Sequence, residues 1–151
     1  VPNSTTSHAN VWGVYIDRPV RCSSITVFVV GADNSANTYD IGFYSGTSGS
    51  TNNLIAHTGA VAGGTFFGAA SAYTTIPFTS TVTLMPGRYY FAIYANVNSS
   101  PLTLAGNTAA DWEFYHLNGF SITPSSGGLP STLTGPADAI TSSATPHFLL
   151  K

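Results

Sequence analysis

The sequence predicts an all-β protein, an antiparallel β-sandwich of jelly-roll-like character with about nine or ten strands. Three observations predict it. Apolar residues recur at every second position in several segments. Turn-forming clusters of Gly, Asn, Ser and Pro separate those segments at short intervals. No segment of ten residues carries the apolar spacing of an amphipathic helix.

Taken in order, the first strand candidate is "NVWGVYID", Asn10 to Asp17. In "SSITVFVVG" the residues Ile25, Val27 and Val29 share a face. In "TYDIGFYSG" Tyr39, Ile41 and Phe43 face one way, against Thr38, Asp40, Gly42 and Tyr44. "NLIAHTGAV", Asn53 to Val61, follows. "TTIPFTSTVTL" is the cleanest case, with Ile76, Phe78, Val82 and Leu84 opposite a row of threonines. Pro77 cannot donate to a ladder, so that strand lies at an edge or is bulged there. "GRYYFAIYAN" places Tyr89, Phe91 and Ile93 on one side. Its other side holds Arg88, Tyr90, Ala92 and Tyr94, which is not plainly polar. "PLTLAG", "DWEFYHL" and the terminal "PHFLLK" complete the set. "AHTGAVAGGTFFGAASAY" is alanine-rich, but its glycines break any helix.

A chain of 151 residues suits one domain, 1–151, able to bury a real core. Residues 1–9 read as an extended N-terminal arm, and the Ser/Gly/Pro stretch 123–136 as a long loop. No signal peptide is visible, and the start at Val1 reads as a processed product or an excised domain. Only 7% of residues are charged, against about 25% in ordinary soluble domains, so hydroxyls and amides must keep the surface wet. With 4 Lys and Arg residues and a net charge of −2, the chain lacks the basic cluster that nucleic acid demands. A basic membrane-surface role fails for the same reason, and no apolar run is long enough to span a bilayer. Its single cysteine, Cys22, excludes an intrachain disulfide and reads as a small buried residue.

Catalytic patterns are missing. There is no G-x-S-x-G, phosphate-binding loop, H-E-x-x-H or C-x-x-C, so the chain reads as non-enzymatic, without cofactor or metal. His8, His57, His116 and His147 are widely spaced. Asp33, Asn34, Asn37 and Asp40 offer oxygen ligands of the type calcium takes, and equally the chemistry of a turn. Asn3-Ser4-Thr5 and Asn98-Ser99-Ser100 match the N-glycosylation pattern and point to exposed loops.

The aromatics carry the binding candidates. In "DWEFYHLNGF" strand alternation groups Asp111, Glu113 and Tyr115 on one side, with Trp112 beside them on the other. A pyranose has an apolar face and a hydroxyl rim, so aromatic planes next to carboxylates suit it. Equally, Trp112 is core and the acids are a solvated face. Tyr90 and Tyr94 form an alternative platform. If the strands through Tyr44 and Tyr94 are neighbours, Tyr44, Tyr90 and Tyr94 share a face with Arg88 and Asp40. That face suits a second buried layer, a subunit interface or a glycan.

The ordered motifs "RPVRCSSITVFVV", "YDIGFYSGTSGSTNNLIAHTGAV", "LMPGRYYFAIYAN" and "PHFLLK" resemble a β-sandwich domain near the C-termini of tail-fibre, tail-spike and other virion proteins of tailed bacteriophages. The resemblance covers Pro19 to Lys151. "LMPGRYY" also occurs in carbohydrate-binding modules and other secreted sandwiches. The resemblance implies a place on the virion surface, outside the cell. It implies a non-enzymatic structural role in particle decoration or host attachment, other virion subunits as partners, often as a homotrimer, and a host-surface glycan as ligand. It defines no site residues. Two alternatives stand beside it: a secreted carbohydrate-binding module or lectin, and a self-assembling extracellular structural subunit.

Overall fold

The computed structural model describes residues 8–33, 36–46, 51–96, 102–105, 119–122, 127–134 and 147–151. Two antiparallel sheets pack face to face. In chain order the strands are β1 (His8–Ile16), β2 (Val20–Gly31), β3 (Thr38–Ser45), β4 (Thr51–His57) and β5 (Val61–Ala62). They continue with β6 (Ala72–Leu84), β7 (Gly87–Asn96), β8 (Thr103–Leu104), β9 (Gly119–Ile122), β10 (Thr132–Thr134) and β11 (Phe148–Leu150). One helical turn, α1 (Gly63–Phe66), lies between β5 and β6. The large sheet runs β10-β4-β3-β7-β1-β9, with β5 also paired to β3. The small sheet runs β11-β2-β6, with β8 also paired to β2. The chain crosses between sheets from β1 to β2, β2 to β3 and β6 to β7, which gives each layer strands from distant parts of the sequence.

The core between the sheets is the one the alternation predicts. Ile25, Val27 and Val29 of β2 and Ile76, Phe78 and Leu84 of β6 meet Tyr39, Ile41 and Phe43 of β3 and Phe91 and Ile93 of β7. Each large apolar side chain buried here contributes about 1.5–3 kcal/mol. An aromatic cluster fastens the C-terminus. Phe148 of β11 stacks on Phe91 at 4.4 Å and meets Phe43 edge-on at 5.5 Å. "PHFLLK" thus returns to the core as a strand. Trp12 stacks on Phe91 at 5.9 Å, and its indole N–H is buried without a partner.

Pro77 meets both of its sequence-based conditions. β6 is an edge strand, and its register against β2 shifts between Cys22 and Ser24, next to Pro77. A second bulge sits in β4, where Phe43 opposes Ala56 but Tyr44 opposes Leu54. The extra residue, Ile55, lets Ala56 join the inner core and Leu54 the opposite face.

Several expectations need correction. Eleven strands occur among the described residues, because β5, β9 and β10, of two to four residues each, are too short to show periodicity. The strand β9 was not expected. The arm expected over 1–9 gives His8 and Ala9 to β1, where they pair with Ala95 and Tyr94, and residues 1–7 lie outside the described ones. The loop expected over 123–136 contains β10, which pairs with Asn53, Asn52 and Thr51.

Gly42 shows how tightly the large sheet is covered. A Cβ there would stand 2.5 Å from the Ala56 carbonyl oxygen and 2.9 Å from Leu129 Cδ1. We expect Gly42→Ala to lower stability by about 1–3 kcal/mol through overpacking. The urea unfolding midpoint measures it, and an unchanged midpoint contradicts the packing described.

Candidate functional site

The residues favoured from sequence separate into two groups. Asp111, Trp112, Glu113 and Tyr115 lie outside the described residues, as do His116 and both glycosylation patterns. Tyr90 and Tyr94 are described, and they are 3% and 2% exposed. The strands through Tyr44, Tyr90 and Tyr94 are indeed neighbours, with Tyr44 opposite Tyr90 and Asp40 opposite Tyr94. But the face they share is a second buried layer, so the reading as an accessible platform is corrected. Ala9, Val11, Tyr44, Tyr90, Ala92, Tyr94, Leu129 and Leu133 form this layer, with Leu54 against it. Its centre is small, at Gly42, Ala92 and Val11, so the flanking tyrosines and Leu129 close over it. Arg88 caps one end, 5.3 Å over the Tyr90 ring and close above Gly13.

The segment 127–134 is a strap across this face, and Asp40 is its anchor. The Asp40 carboxylate accepts from the Leu129 N–H at 3.0 Å and from the Thr58 hydroxyl at 3.3 Å. His57 Nδ1 lies 3.1 Å from Oδ2, the same oxygen that accepts from the Leu129 N–H, and donates to it in the tautomer with its proton on Nδ1. The Tyr44 hydroxyl donates to the Pro130 carbonyl at 2.7 Å. Gly128 has no Cβ to crowd Asp40, where one would stand 3.0 Å from Oδ2. At the end of the strap, β10 adds to the sheet edge at β4.

A second buried carboxylate closes one end of the sandwich. Asp33 Oδ2 accepts from the Asn37 amide at 2.8 Å and from the Tyr39 hydroxyl. The same Tyr39 oxygen accepts from the Leu102 N–H at 3.0 Å. Asp33 is held through Tyr39 on the core side, whereas Asp40 faces the strap. These two acids therefore do not form one ligand set, and Asn37 turns its N–H, not its oxygen, to Asp33. Among the described residues no three His, Cys, Asp or Glu side chains converge on a metal position. Cys22 is buried, and burial pushes its thiol up, away from the reactive thiolate.

Two aromatics are largely exposed among the described residues, Tyr15 on β1 and Tyr73 on β6, and only Tyr73 lines a groove. The outer face of β2 carries Thr26, Phe28 and Val30, and β6 adds Tyr73 and Thr75 in register with Phe28 and Thr26. Leu149 of β11 stands opposite Thr26. These strands shape a groove of about 330 Å³ lined by Thr26, Phe28, Tyr73, His147 and Leu149. Tyr73 is 73% exposed and meets Phe28 edge-on at 4.9 Å. The Thr26 and Thr75 hydroxyls bond to each other at 2.7 Å. Sequence reasoning missed this site. Its signal was Phe28, a large aromatic on the polar side of "SSITVFVVG". Its partner Tyr73 lies beyond the clean alternation of "TTIPFTSTVTL", and only the register joins them.

Compared with known proteins, the chain matches no family model, no curated protein and no solved structure.

Two predictions follow from the buried polar groups. Asp40→Ala strands the Leu129 N–H, a loss of about 1–3 kcal/mol, and hydrogen exchange at that amide should accelerate. Unchanged protection at Leu129 would remove Asp40 as the anchor. Alkali is the second test. Burial first, then the bond to Asp33, pushes the Tyr39 hydroxyl from 10.0 up to about 12. Burial, then the Asp40 charge, raises Tyr44 as well. The folded protein keeps these protons longer than the unfolded chain does. Their contribution is therefore complete below pH 10 and is lost as pH rises through about 12. Phenolate absorbance followed beside circular dichroism should show Tyr39 and Tyr44 ionising last, together with unfolding.

Proposed function

We propose that the chain is a non-enzymatic surface domain of a virion, acting in host attachment through the outer face of the β11-β2-β6 sheet. The observation that carries this reading is the groove at Phe28 and Tyr73. The buried layer under the strap takes in Tyr44, Tyr90 and Tyr94 of the large sheet, while the small sheet leaves Tyr73, Leu149 and Val30 exposed at 73%, 58% and 47%. An aromatic at that exposure, braced by a second ring, is suited to contact rather than to core packing. The charge-poor composition fits a surface kept wet by hydroxyls, and the motif resemblance to phage tail proteins supplies the virion setting. The inward tyrosine face removes the earlier reason for a homotrimer interface at that position. A trimer with other virion subunits therefore requires a different surface.

The groove also favours the second reading, a secreted carbohydrate-binding module, which shares the fold and acts as a monomer. Light scattering at low micromolar concentration separates the two: a trimer or larger assembly is the expected result, and a monomer favours the module.

Attachment itself is tested on an array of bacterial surface polysaccharides, neutral and acidic. Labelled protein should be retained, and Tyr73→Ala should lose most of that retention. Tyr15→Ala is the matched control, since Tyr15 is equally exposed at 73% but lies on β1 of the large sheet. Equal retention of Tyr73→Ala and the unaltered protein contradicts the proposal.

A further inference from the structure

We propose that the groove on the small sheet binds an uncharged pyranose, stacked on Tyr73 beside Phe28. This deepens the attachment reading and rests on it. The first argument is charge. Among the described residues no Asp, Glu, Lys or Arg lines the groove. An acidic or basic sugar would leave water there without a countercharge, and an unpaired charge is costly to desolvate. A neutral ligand meets no such penalty.

The second argument is the mixture of surfaces. Tyr73 and Phe28 meet at 71° with centroids 4.9 Å apart, so the Phe28 ring braces the Tyr73 ring, which stays exposed. A ring held this way loses little freedom when a ligand packs on it. A pyranose presents its axial C–H bonds to such a plane. Leu149 extends the apolar side, and the Thr26 hydroxyl and the His147 imidazole bring polar atoms to the same groove. The Thr26 hydroxyl is already bonded to Thr75 yet keeps acceptor capacity, and the hydroxyl rim of a sugar can bond to such groups where a purely apolar ligand cannot.

The third argument is size. A volume of about 330 Å³ stands at the low end of small-molecule sites, which run from about 300 to 1,000 Å³. It suits one or two sugar rings. Longer glycans would extend from the open side of the groove, where Tyr73 is exposed.

The test is a two-dimensional amide NMR titration of the full chain. The probes are methyl glycosides of glucose, galactose, mannose and N-acetylglucosamine, with glucuronic acid and N-acetylneuraminic acid as charged counterparts. At least one neutral glycoside should move the amides of Thr26, Phe28, Tyr73 and His147, and neither acid should. Tyr73→Ala should weaken that binding by about tenfold or more, while Tyr73→Phe, which keeps the ring, should retain most of it. Tyr73 is a surface residue, so both variants should give the folded spectrum of the parent. Silence from every neutral glycoside, a preference for the acids, or shifts mapping to another surface would each overturn the inference. Loss of array retention in Tyr73→Ala with no neutral-glycoside response leaves attachment standing and removes the sugar class. Unchanged array retention in that variant removes attachment itself. Conversion of an oligomer to a monomer by Tyr73→Ala, with no sugar response, reassigns the groove to contact between copies of the chain and also overturns the inference.

Discussion

A sheet that is apolar on both faces must be covered twice. That constraint governs this protein. In β3 the core face is Tyr39, Ile41 and Phe43, and the opposite face is Asp40, Gly42 and Tyr44, all buried. In β7 Phe91 and Ile93 face the core while Tyr90, Ala92 and Tyr94 face away, and these too are buried. Such two-sided burial is common for strands enclosed between layers and unusual for a sheet with one wet face. The small sheet covers one side. The strap 127–134 shares in covering the other.

The strap has little regular structure of its own, so its position rests on a few polar bonds. Asp40 supplies most of them. A carboxylate under an apolar layer is costly unless its oxygens are satisfied. Here the Leu129 N–H, the Thr58 hydroxyl and His57 satisfy it. The same bonds set where Leu129 seats over Gly42. Polar satisfaction and apolar packing thus depend on each other at one point. Asp33 does similar work at the end of the sandwich, joining the β2–β3 connection to Tyr39 and, through Tyr39, to Leu102.

The outer face of the small sheet differs, with Val30, Tyr73 and Leu149 exposed. Its inner side carries Ile25, Val27 and Val29, and its outer side carries Thr26, Phe28 and Val30. At these positions a hydroxyl alternates with aromatic and aliphatic groups. This composition keeps the face soluble and gives it apolar planes for contact. The asymmetry between the two sheets is what moves the candidate site from Tyr90 and Tyr94 to Phe28 and Tyr73.

The sequence by itself determined the longer strands and the inner core they share. Alternation in "SSITVFVVG", "TYDIGFYSG" and "TTIPFTSTVTL" identified the buried residues of β2, β3 and β6, because side chains on a strand repeat every two residues. Pro77 marked an edge or a bulge, because it lacks an N–H. Alternation also separated Tyr44, Tyr90 and Tyr94 from the inner core and grouped them on one face. It could not decide whether that face met solvent, a partner or the chain itself. Only the tertiary structure decided this, by bringing Leu129 and Leu133, about 35 to 90 residues away in sequence, over the tyrosines. It likewise joined Phe28 to Tyr73 through a register that no local pattern encodes. Periodicity is a property of neighbouring residues, whereas the covering of a face depends on distant ones.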